Sequence, residues 1–122
     1  RGLAVQPFNV VDLDSGRFAA ELVDASTLAF GSPTVLDGPH PAMASAAYLT
    51  NALKPKARFG GIIGSYGWGN HAMQVSLAGM LPNLAVQWFA PVVAGGVPRA
   101  ESMAALDHLA AQIAQAQAGM VA

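Results

Sequence analysis

The sequence predicts an open α/β domain built on a parallel sheet, and three of its features carry that expectation. Strand-like runs alternate with helical ones along the chain, the two middle runs are continuously apolar, and proline falls inside the outer runs only. Alternating strands and helices imply parallel α/β architecture. Strands buried on both faces read as unbroken apolar stretches. Proline cannot donate to a sheet ladder, so it belongs at edges, strand starts or bulges.

Taken in order, residues 3–13 read as a strand interrupted by Pro7. Asp14 and Ser15 offer caps for a short helix whose Phe18 and Leu22 lie one turn apart. Residues 27–32 form the second strand. A helix over 39–53 then has Met43, Ala47 and Leu53 for one face, and Lys54-Pro55-Lys56 breaks it. Residues 57–65 are the third strand. Met73, Leu77, Met80 and Leu81 follow helical spacing up to Pro82-Asn83. Residues 84–93 are the fourth strand. Pro98 suits the start of a last helix with Met103, Leu106, Ala110 and Ile113 inward. The strands with Pro7 and Pro91 are expected at the edges, with 27–32 and 57–65 in the centre.

With 122 residues the chain is one domain, 1–122, able to bury roughly two-thirds of its unfolded surface. Hydrophobic residues make up 53% and charged ones 11%, which excludes disorder and leaves apolar surface for another domain or subunit. A net charge of −1 gives no footprint for nucleic acid. The absence of cysteine excludes disulfides, thiol chemistry and a cysteine-ligated cluster, and suits a cytoplasmic protein. No run approaches the ~20 apolar residues of a membrane span, so no membrane partner is expected. Arg1 stands where a complete chain would begin with Met, which suits a fragment or one module of a larger protein.

Chemistry is expected where the two middle strands end. The second strand runs into Gly31-Ser32-Pro33-Thr34, and the third into Gly64-Ser65-Tyr66-Gly67-Trp68-Gly69. Ligands of open α/β sheets sit beyond the carboxyl ends of the strands. Matching Gly-Ser exits suggest one shared crevice, lined by hydroxyls, backbone N–H groups and two aromatics that suit a flat conjugated ligand. Tyr66 and Trp68 each offer a stacking face; Trp68 serves equally as a cap over the core or a partner surface. Glycine at 64, 67 and 69 permits close backbone approach. Ordinary strand-to-helix turns favour the residues at 32–34 as well.

In this order and spacing, the two segments closely resemble the flavodoxin-like domain of flavodiiron proteins (A-type flavoproteins), from about residue 10 through the helix after Gly96-Val97-Pro98. The resemblance implies a flavodoxin-like open parallel sheet with helices on both faces. It implies FMN held by two of the family's three loops, here Ser32, Pro33, Thr34 and Val35 with Ser65, Tyr66, Gly67, Trp68 and Gly69. The family's usual Ser-Gly-Glu after the Trp is Gly69-Asn70-His71 here, and its frequent Asn two residues past the Thr is Leu36.

In the family's strand order 2-1-3-4-5 the four strands of this chain correspond to the second to fifth. The absent elements are the first strand, its phosphate-binding loop and the helix behind it. Three arrangements fit that gap: a truncated chain, direct pairing of the remaining strands, or an element supplied by another chain.

No GxxxxGK or GxGxxG occurs, and Lys54, Lys56 and Arg58 read as a solvated strand entry. His40, His71 and His108 lack metal-ligand spacing, and no nucleophile–base pair is apparent, so no catalytic or metal site is expected in this chain. The resemblance implies FMN-dependent electron transfer in an oxidoreductase reducing dioxygen or nitric oxide. It also implies a metallo-β-lactamase-like diiron domain or subunit as partner, and a homo-oligomer, a head-to-tail dimer. The alternative is a degenerate flavodoxin-like module that binds no flavin and serves in docking or dimerisation.

Overall fold

The fold is organised around the two longest strands, neither of which contains a charged residue. In the computed structural model, which describes residues 3–36, 38–66, 72–95 and 99–121, β1 (Thr27–Val35) and β3 (Phe59–Tyr66) run parallel from Thr27↔Phe59 to Pro33↔Ser65. Beyond β3, two short strands share its far side: β4 (Gln87–Trp88) pairs in parallel with its start and β5 (Val92–Gly95) with its end. A two-residue strand, β2 (Gly38–Pro39), folds back antiparallel on the last residues of β1. Among the described residues these five strands form one sheet.

The sheet buries its two faces unequally. On one face α2 (Pro41–Leu53) and α3 (Ala72–Gly79) cover the strands. Phe30, Ile62, Met43, Ala46, Ala47, Met73, Leu77, Leu81 and Leu84 close there into the main core, with Trp88 packed 6.3 Å from Phe30, centroid to centroid. Trp88 lies where a Cβ on Gly60 would be, so that glycine makes room for the indole. The other face carries α4 (Ala100–Val121), which crosses antiparallel to the strands. Leu109 of α4 sits over Gly61, and the Gln117 Nε2 donates to the Ser26 Oγ and Thr27 Oγ1 at 2.8 and 2.7 Å.

Four expectations are corrected. Residues 3–13 form no strand: 3–9 are irregular and mostly exposed, and 10–12 make a 3₁₀ turn capped by Asn9 Oδ1. No described strand lies beside that segment, Pro7 lacks a donor, and an unpaired strand has no ladder to hold it. The 84–93 run splits into β4 and β5 around Pro91. The second helix begins at Pro41, because Gly38 and Pro39 pair with β1. On α4 the deepest residue is Leu109, 5% exposed, whereas Met103 is 58% exposed. Asp14 does cap the first helix, α1 (Ser15–Leu22), accepting from the Arg17 N–H, and Leu22 is buried.

Candidate functional site

The parallel register brings the two Gly-Ser exits side by side: Ser32 lies opposite Gly64 and Pro33 opposite Ser65. Their approach is close. A Cβ on Gly64 would overlap the Ser32 carbonyl oxygen and Met73 Cε, so this position admits only glycine without a backbone shift. One turn further, the Thr34 hydroxyl donates to the Ser65 carbonyl at 2.8 Å and clasps the two exits together.

Ser32 is 6% exposed, and its hydroxyl is fully engaged. It donates to the Pro33 carbonyl and accepts from the His40 N–H, both at 2.8 Å. The His40 ring caps α2, its Nδ1 accepting from the Ala42 N–H at 3.0 Å. The Ser32 and Thr34 hydroxyls are thus engaged within the protein, while Ser32 also lines the groove at the strand ends. Val35 is exposed on the hairpin, and Leu36 turns it with φ 49° and a side chain 99% exposed. Tyr66 ends β3, paired with Gly95. Gly67, Trp68 and Gly69 lie outside the described residues, as does His71.

On the α4 face the exits open into a groove of about 350 Å³. Gly31, Pro33, Ile63, Ser65, Ser102 and Leu106 are among its lining, and among the described residues no charged side chain lines it. Sequence reasoning missed Ser102 and the cap at His40; the His40-Pro41 pair ahead of a helical run was a usable start signal. Lys54, Lys56 and Arg58 stand at the opposite end of β3, and all three are exposed. Among the described residues no cluster of His, Asp or Glu could hold a metal. No helix among them is long and apolar enough to cross a membrane.

No family model matches the chain, and no curated protein matches it. Solved structures do. Rubredoxin oxygen:oxidoreductase from the anaerobe Desulfovibrio gigas superposes with a TM-score of 0.90 and 28% identity over 99% of this chain. The Flv1 flavodiiron core from Synechocystis sp. PCC6803 superposes with a TM-score of 0.70 over 83% of it, at 21% identity, a likeness of fold. These likenesses support a flavodiiron-related domain. Its fold is the flavodoxin-like α/β arrangement with a partial set of strands. The domain spans 30% of the first of these proteins and 25% of the second.

Proposed function

We propose that this domain holds FMN at the carboxyl ends of β1 and β3 and carries electrons within a flavodiiron-type oxidoreductase that reduces dioxygen or nitric oxide. The observation behind the reading is the pair of Gly-Ser exits clasped by the Thr34–Ser65 hydrogen bond, at the place where ligands of open α/β sheets bind. When bound, the flavin supplies the redox chemistry, and the protein orients and tunes it. Tyr66 and Trp68 offer stacking faces to the ring. Pro33, Val35 and Ser65 shape its polar edge, with Gly67 and Gly69 allowing close approach. Ser32 and Thr34 act one step back, fixing the exits through their own hydrogen bonds.

The described residues suit the ring end of FMN better than its phosphate end. A phosphate needs free N–H groups at a helix start. In α2, Pro41 has no N–H, and the Ala42 and Ala44 N–H groups are taken by the His40 Nδ1 and carbonyl oxygen. At most the Met43 N–H remains. The phosphate would be held by residues beyond those described. In the whole oxidoreductase the domain would work as a homo-oligomer, beside a metallo-β-lactamase-like diiron domain or subunit that receives the electrons.

The closed start of α2 and the engaged hydroxyls also favour a second reading, a flavodoxin-like module without flavin that serves in docking or dimerisation. Titrating the purified protein with FMN decides between them. The first reading expects stoichiometric quenching of flavin fluorescence and a yellow protein; unquenched FMN in the presence of excess folded protein would leave the second.

A further inference from the structure

The helix over the main core shows solvent an outer face without charge. A surface helix ordinarily turns charged or polar side chains away from the core. Helix α2 has no Asp, Glu, Lys or Arg at all, and its exposed positions are Pro41, Ser45, Tyr48, Ala52 and Leu53. Tyr48 is 76% exposed and Leu53 45%. Where that face ends, cations begin. Lys54, Lys56 and Arg58 are exposed, Pro55 is half-buried, and Ala57 and Phe59 are buried. The alternation puts Lys56 and Arg58 on one side of the segment, with Lys54 at its head next to Leu53.

This row has no counter-charge in its own part of the chain. From residue 38 to residue 100 there is no Asp or Glu; the acids fall within 12–37 and 101–107. Asp24, two residues ahead of the Ser26 that pairs with Arg58, is the acid that the sheet brings towards the row. The row is also held in place. The Arg58 N–H donates to the Ser26 carbonyl, and the Arg58 carbonyl accepts from the Gln87 N–H, both at 2.9 Å. The Asn83 N–H donates to the Asn51 Oδ1 at 2.7 Å and ties the end of α2 to the turn after α3. Lys54 occupies the left-handed C-cap of α2 with φ 49°. Glycine is the usual residue at such a cap, so lysine there accepts backbone strain and keeps a charge beside Leu53.

We infer that the end of α2 and the row at 54–58 form a docking face for an acidic segment of a partner protein. That segment is extended, with a large apolar anchor on Tyr48 and Leu53 and carboxylates at alternate positions along Lys54, Lys56 and Arg58. Charge-free surface with an exposed tyrosine is what the centres of interfaces contain. Cations at every second residue match carboxylates that recur at the strand period. A second copy fits poorly, because a twofold contact sets the row against itself. The face lies at the end of β3 away from the exits and does not depend on flavin binding.

Fluorescence anisotropy of the 122-residue chain with the labelled peptide Phe-Glu-Ser-Glu-Ser-Glu tests it. The peptide binds at low salt and is released as salt rises. Lys56→Glu weakens binding about tenfold and Tyr48→Ser about fivefold, with the thermal midpoint little changed at either exposed site. Lys54→Gly separates docking from folding: the midpoint rises because glycine relieves the cap, while binding falls about fivefold. Undiminished binding in Lys56→Glu, or no binding by the folded chain at low salt, would overturn the inference. Equal binding of the peptide with Ser in place of Phe would overturn it too, since charge alone would then hold the segment. Binding to phosphatidylserine vesicles without binding to the peptide would give the face to a lipid surface. A dimer broken by Tyr48→Ser would give it to a second copy.

Discussion

The two faces of the sheet are made by the same strands and end up in different conditions. On the α2–α3 face β1 presents Phe30 and Ser32, both buried beneath helices; on the α4 face it presents Ala29, Gly31 and Pro33, all exposed. Among the described residues α2 and α3 cover the first face and α4 the second, and the first buries its side chains more fully. The main core lies on this first, closed face.

Substitutions can break that contrast. The largest effect is expected at Leu77, fully buried on the closed face. Leu77→Ala should cost about 3 kcal/mol in chemical denaturation, against about 1 kcal/mol for Leu106→Ala in the groove. Equal losses would show that α4 packs as tightly as α3. Next comes a glycine pair on β3. Gly64→Ala drives a Cβ into Met73 and the Ser32 carbonyl and should cost about 2–3 kcal/mol. Gly61→Ala meets Leu109 at an ordinary 3.8 Å and should change the midpoint little.

How much of this was legible in the sequence follows from what each signal reports. The central strands were readable because their continuous apolar runs describe burial on both faces, a property of the strand itself. The fate of residues 3–9 was not, because pairing belongs to the neighbour as much as to the strand. Pro91 was readable as an edge residue, but not as the break between β4 and β5. In α4, alanine recurs on every side of the helix, so spacing gave little contrast to pick Leu109 over Met103. At the site, the order of the Gly-Ser exits was legible; that the Ser32 and Thr34 hydroxyls would be spent on Pro33, His40 and Ser65 was not, since those bonds depend on the hairpin at 34–39.

Two smaller effects sharpen the comparison at the exits. Thr34→Val keeps the shape but removes the bond to Ser65, and should cost about 1 kcal/mol. If the flavin reading holds, it should also weaken FMN binding in a fluorescence titration, because the two exits lose their clasp. Leu36→Asn should raise stability slightly, by about a few tenths of a kcal/mol, read as a small rise in the thermal midpoint, since asparagine tolerates the left-handed backbone that Leu36 adopts.

Gly64 also settles an ambiguity that composition leaves open. Two strands with apolar residues on both faces can slide past one another by two residues and still bury the same kinds of side chain. A slip of two would set Ile62 or Tyr66, each with a Cβ, against the Ser32 carbonyl in place of Gly64. The absence of a single carbon therefore works as an index mark, stopping the strands where Thr34 can reach Ser65. Whatever binds at the exits meets two loops whose relative offset is set by a steric veto rather than by attraction.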